Sequence, residues 1–238
     1  MLRPLVVALL LFADAACGQA LTPPSELLNR AFADASAGVG DPRDLIERVL
    51  EYPEHANVVM YYAAAAFAFE RGELIDAGYL FYAGQIRGNQ ELRLRPPDDG
   101  GEQFVIMSDM LGPQLNPALF DPEVYPAVLD RLEAWDPTPA RGFTLAFSPT
   151  DAQLAMSAAQ AGEFKEEMLA PLRPLSELLK DSDYFEAVRD IQRFHMELSP
   201  EEQQEQSQRR RYDEARERVR SLEESAGVSV LSPSLGDS

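Results

Sequence analysis

The chain has 238 residues, with 40 acidic side chains against 21 basic ones, a formal net charge of −19, 45% hydrophobic residues and one cysteine. That length and apolar content suit one globular domain, or one with an appendage. The acidity argues against a nucleic-acid binder and against docking on anionic lipid, and it suits solubility or a basic partner. A lone cysteine excludes an internal disulfide.

Residues 1–20 have the form of an export signal, with Arg3 near the start, an apolar stretch from Leu5 to Ala13, then small residues. Two cleavage points fit the small-x-small rule, after Ala15 and after Ala20. The second is preferred, because Leu21-Thr22-Pro23-Pro24 then leads directly into the first helix. Cys17 raises the alternative of a lipid-modified N-terminus, but Asp14 stands where such sites want an aliphatic side chain. The apolar run falls short of the ~20 residues that span a bilayer. The expectation is a periplasmic or secreted protein with no stable membrane insertion after cleavage.

Helix-start signals recur after Pro24. Asp41-Pro42-Arg43-Asp44, Ser148-Pro149-Thr150-Asp151 and Ser199-Pro200-Glu201-Glu202 each place a polar cap, a proline and an acid in order, and Asp121-Pro122-Glu123 is a shorter version. The cap oxygen satisfies an orphan amide, proline loses no hydrogen bond there, and the acid suits the helix dipole. These signals predict helices near 25–37, 42–51, 55–71, 73–91, 102–111, 122–134, 150–161, 163–180, 183–198 and 200–224. Pro171 and Pro174 are expected to kink or split the eighth. Alternating β-branched runs are nearly absent, so the predicted class is all-α. The expected divisions are a helical part at 21–95, a second at 96–198 with packed proline-rich loops at 112–121 and 136–149, a charged helix at 199–226 and a disordered tail at 227–238.

Asn57 to Gly88 is the organising stretch, read as two apolar helices joined at Glu70-Arg71-Gly72-Glu73. Four alanines, Ala63 to Ala66, allow close approach of a neighbour, and Gly72 supplies the left-handed residue that ends a helix. With Gly72 as the inter-helix glycine, Tyr61 stands at a first aromatic position, Ala64 and Ala65 at a small contact, Ala77 at a central alanine, Phe81 at a second aromatic and Gly84 at a last small position. This pattern resembles one tetratricopeptide-type repeat of about 34 residues. Ala68 and Asn89 depart from it, where an aromatic and a closing proline are usual, and no second copy follows at that period. The resemblance implies helical hairpins packed as a superhelical bundle. It also implies that the inner face of the hairpin meets a protein partner, which makes Tyr62, Tyr79, Tyr82, Gln85 and Arg87 the recognition candidates. Tyrosine suits that role, with apolar area and a polar handle.

Elsewhere the chemistry is sparse. His55 reads as a surface histidine of a first helical turn and His195 as a cation near a helix C-terminus. Asp98, Asp99 and Glu102 read as a solvated acidic turn, since they lack the alternation of a calcium loop. No HExxH, GxSxG or glycine-rich phosphate loop occurs, so no catalytic residue, metal site or cofactor is assigned. In the last helix Tyr212, Ala215, Val219, Leu222 and Ala226 form a thin apolar stripe, and Glu205–Arg209 and Glu214–Arg218 are spaced for ion pairs. Arg209-Arg210-Arg211 reads as a solvated face. The function expected is an exported protein-binding or scaffolding module of the bacterial cell envelope. Its alternatives are an immunity or inhibitor protein against a secreted toxin, and a glycan hydrolase using paired carboxylates.

Overall fold

Side-chain caps set several of the points where this chain turns into helix. In the computed structural model, residues 23–95, 102–137, 140–143, 149–196, 198–199, 202–203 and 205–227 are described. They form nine helices and no strand: α1 (Pro23–Ser36), α2 (Pro42–Glu51), α3 (Val58–Glu70), α4 (Leu74–Leu92), α5 (Glu102–Leu119), α6 (Val124–Ala134), α7 (Asp151–Leu178), α8 (Ser182–Met196) and α9 (Gln206–Ala226). The fold is all-α. The expected signal segment, Asp98 and Asp99, and residues 228–238 lie outside the described residues.

Asp41 accepts the Arg43 amide at 2.9 Å, Asn57 the Met60 amide at 3.0 Å, and Asp121 the Glu123 and Val124 amides at 2.8 and 3.1 Å. Each bond satisfies a donor that the first turn of a helix leaves without an intrahelical partner. Asn57 moves the start of α3 to Val58, past the predicted start at residue 55. At the other signals the cap shifts. Thr150 and Gln153 exchange bonds ahead of α7. Ser199 and Glu202 form a reciprocal pair, yet the long helix α9 begins only at Gln206. Gly72 closes α3 with φ at +75°, a backbone conformation that costs glycine nothing.

Two predicted breaks in helix are absent. The expected loop at 112–119 is the second half of α5, which contains Pro113 and Pro117, and the expected break at 162 is absent from the continuous helix α7, which contains Pro171 and Pro174. Pro113 and Pro171 are exposed, as are Asp109 and Glu167 one turn earlier. The carbonyls these prolines free belong to exposed residues, where water can replace the lost hydrogen bond. Leu115 and Leu119 are nonetheless buried, as packing of that stretch on the body requires.

The chain forms two compact units, Met1–Leu119 with Asp130–Glu166, and Phe120–Leu129 with Glu167–Ser238. Helices α6 and α7 contribute residues to both, so the division does not fall at the proline–glycine stretch 96–101. In the first unit α1 to α5 pack in chain order, each on the next, and α5 also reaches α3. Helix α3 is buried on all sides from Val58 to Ala68. The end of α4 is tied down by the buried Glu91–Arg95 ion pair at 2.7 Å, with the Arg95 guanidinium over the Phe104 ring of α5.

In the second unit α8 packs on α9. Asp181 caps α8, and Phe194 stacks on Tyr212 with centroids 4.3 Å apart. The apolar stripe of α9 runs through Tyr212, Ala215 and Val219 as expected, but its next buried position is Glu223, while Ala226 is exposed. Glu223 accepts the hydroxyl of the fully buried Tyr184 at 3.1 Å. The arginine run is exposed and paired within the chain, Arg209 with Asp213, Arg210 with Glu214 and Arg211 with Asp190. The i,i+4 pairing therefore runs forward from Arg209 and Arg210, a different register from the one expected.

Candidate interaction site

The polar centre of the first unit lies on the α3/α4 hairpin. Arg87 projects from α4 and is fully buried. Its guanidinium donates to Gln90 Oε1 at 2.7 Å, and to the Pro53 and Pro137 carbonyls, both at 3.3 Å. It lies 5.6 Å from the Trp135 ring centroid and 6.0 Å from that of Tyr61. The Trp135 indole meets Tyr61 of α3 at 6.3 Å and Tyr79 of α4 edge-on at 6.2 Å. These are the tilted and edge-to-face geometries that aromatic quadrupoles favour, and a cation beside an indole adds to them. Tyr61 donates its hydroxyl to the Pro53 carbonyl at 3.0 Å. Arg131 lies 4.4 Å from the Tyr79 ring centroid and pairs with Asp76 in the first turn of α4.

The chain stretch that carries Trp135 leaves α6 without regular structure. Lys165, nearly buried on α7, donates to the Glu133 carbonyl at 2.9 Å and the Trp135 carbonyl at 2.6 Å, so it caps the end of α6. Further along, the Arg141 and Gly142 amides both donate to the Glu54 carbonyl, at 2.7 and 3.0 Å. A Cβ on Gly142 would lie 2.0 Å from the His55 carbonyl oxygen, so only glycine fits there. Trp135–Pro137 thus lies against the hairpin through its ring and the Pro137 carbonyl, while Arg141 and Gly142 lie against the Glu54–Ala56 stretch that precedes α3.

Burial sets the ionisation of the site. It pushes Tyr61 and Tyr79 above the usual phenol range, against a smaller downward pull from Arg87 on both. It also raises Tyr62, and it pushes Tyr82 up to about 12. All four are therefore neutral packing and hydrogen-bonding groups at ordinary pH.

The structural residues predicted on the hairpin come together. Tyr61, Ala64, Ala65, Ala77 and Phe81 are buried, and a Cβ on Gly84 would lie 3.2 Å from Tyr61 Cβ. The five recognition candidates need correction. Tyr62, Tyr79 and Arg87 are buried within their own unit, so no partner reaches them in this state. Tyr82 and Gln85 are half-buried and already engaged by α5, through Asn116 at 3.3 Å and Ser108 at 2.9 Å. The physical reason is that the hairpin's inner face has occupants in its own chain, α5 on one part and Trp135 on another.

His55 also differs from expectation, since its side chain is only 8% exposed and its Nδ1 lies 3.2 Å from Ser25 Oγ. The side chains of His195 and Glu102 lie outside the described residues. Among the described residues no group of three or more His, Cys, Asp or Glu is arranged to hold a metal ion. No helix there is long and apolar enough to cross a membrane.

Sequence reasoning missed Trp135, Lys165, Gly142 and Glu223. Two of them carried a signal. Trp135 is the only tryptophan of the chain, and Lys165 continues the buried four-residue spacing of Ser157 and Ala161. No protein-family model, curated protein or solved structure matches this chain.

Proposed function

We propose that this chain is an exported, acidic, helical binding or scaffolding module of the bacterial cell envelope. Its α3/α4 pair works as a tetratricopeptide-like hairpin in a superhelical arrangement, and its partner is a protein. One observation carries the reading: the hairpin's aromatic face already holds a non-helical stretch of chain through a single ring and one backbone carbonyl. A surface that grips irregular chain in this way has the chemistry of a peptide-binding face. The net charge of −19 adds a long-range attraction for a basic partner.

The same charge supports a second reading, an inhibitor that covers a basic exported effector. A nanomolar complex that abolishes the effector's activity selects it.

The test is recovery of a partner from the envelope of the source cells, followed by association and dissociation rates across a salt series. Association is expected to slow several-fold as the screening length shrinks from ~30 Å at 0.01 M to ~8 Å at physiological salt. Dissociation is expected to change little. Failure to recover any stoichiometric partner, or association indifferent to salt, overturns the reading.

A further inference from the structure

We infer that Ser25, His55 and Glu54 form an acyl-transfer site that hydrolyses neutral or cationic carboxylic esters through a covalent intermediate on Ser25. This activity goes beyond the binding-module reading, and neither depends on the other.

The three side chains come from two places in the first unit. Ser25 lies in the first turn of α1, and Glu54 and His55 lie in the stretch between α2 and α3. Ser25 Oγ is 3.2 Å from His55 Nδ1, and Glu54 Oε1 is 3.5 Å from Nε2 on the other side of the ring. A nucleophile, a base within reach of its proton and an acid that orients the base are the parts that activate a serine hydroxyl. Glu54 selects which nitrogen acts. A carboxylate beside Nε2 favours the tautomer with its proton there, which leaves the Nδ1 lone pair facing the hydroxyl.

The surroundings suit that role. The Glu54 carbonyl accepts the Arg141 and Gly142 amides, so the backbone carrying base and acid is held from outside. The His55 ring is nearly buried, whereas Ser25 and Glu54 are partly exposed. The base is therefore shielded from water beside a nucleophile that a substrate can approach. In the first turn of α1 the helix dipole favours the negative charge that develops during attack. Glu26 is exposed next to Ser25 and Glu54 is close by, so anionic esters are repelled and neutral or cationic ones are admitted.

In the first step Ser25 Oγ adds to the ester carbonyl carbon as its proton passes to His55 Nδ1. The bond to the leaving oxygen breaks, that oxygen takes the proton from Nδ1, and an alcohol departs from acyl-Ser25. Water then gives a proton to Nδ1 while its oxygen adds to the acyl carbon, and Oγ leaves with that proton. Ester and water become one acid and one alcohol, with no oxidant or reductant involved.

The experiment uses the full chain with p-nitrophenyl acetate and with a biotin-bearing fluorophosphonate. A burst of about one p-nitrophenolate per chain is expected ahead of slower turnover, and peptide mapping is expected to place the fluorophosphonate on Ser25. Ser25→Ala removes a single hydroxyl, and it is expected to lose burst and label with its helical circular dichroism unchanged. His55→Gln is expected to lower kcat/KM by ~100-fold or more. Glu54 is a positioning residue. Glu54→Gln is expected to lower kcat several-fold at unchanged KM, and Glu54→Asp to restore part of the loss. The hydrogen succinate ester of p-nitrophenol, which is anionic, is expected to react several-fold more slowly than the acetate, and equal rates overturn the assigned substrate class. No label on the parent chain, a label on another residue, or a burst that survives Ser25→Ala overturns the site itself.

Discussion

A methyl group on Gly84 would approach the β-carbon of Tyr61 to 3.2 Å, so α4 presses closely on the tyrosine pair of α3 at this point. The Tyr62 ring lies 3.7 Å from the same point, so a larger side chain at residue 84 has nowhere to turn. Gly84→Leu is expected to destabilise the chain by ~1–3 kcal/mol through overpacking. Gly162, within α7, has open space around its would-be Cβ, and Gly162→Ala is expected to stabilise by ~0.5–1 kcal/mol through helix propensity. Urea unfolding of both variants reads the two signs. A Gly84→Leu chain as stable as the parent would mean that the hairpin contact is looser than described.

Lys165 is one of only two lysines, and it is nearly buried with its ammonium against two carbonyls at the end of α6. Lys165→Met keeps the stem's apolar volume and removes the donor, leaving those carbonyls short of a partner. A loss of ~1–3 kcal/mol is expected, together with a red shift of the single tryptophan as Trp135 loosens. Unchanged emission and unchanged stability would show that the cap contributes nothing.

Burial raises the phenol pKa of Tyr62, Tyr79, Tyr82 and Tyr184, with Glu223 adding to the rise at Tyr184. The folded chain then keeps protons that the unfolded chain releases above pH ~10, so stability is fully present below that pH and falls as pH rises past it. For Tyr82 the loss continues to about 12, where its folded-state titration lies. The other three extend the decline to higher pH, each by up to ~1.4 kcal/mol per pH unit. Tyrosinate absorbance is expected to rise in one cooperative step, together with loss of helical circular dichroism. Smooth titration of these phenols near pH 10 with the helices intact would contradict their burial.

Intact mass of the chain recovered from an envelope fraction is expected to match a species that begins at Leu21, following cleavage after Ala20. A species still carrying Met1, or one lipidated at Cys17, would show that residues 1–20 are something other than a cleaved signal.

How much of this was legible in the sequence follows from what each signal measures. Caps are local chemistry, so Asp41 and Asp121 mark helix starts from a few neighbouring residues alone. Glycine at a left-handed position is equally local, and Gly72 falls where the turn needs it. Small residues at helical spacing announced the α3/α4 contact, because two backbones meet closely only where side chains are short. A scarcity of alternating strands announced an all-helical chain.

Only the tertiary structure decided which surfaces remain available. Periodicity shows which side of an amphipathic helix is apolar, but α3 is apolar from Val58 to Ala68 and points to no side. The cover of the hairpin comes from an irregular stretch at Trp135–Pro137, which has no period to read, and its fastenings to Arg87 and Lys165 span 50 and 30 residues of chain. Prolines show the same limit. A sequence counts the hydrogen bond that Pro113 or Pro171 removes, but whether that loss breaks a helix depends on whether the freed carbonyl faces water, and that is a property of packing.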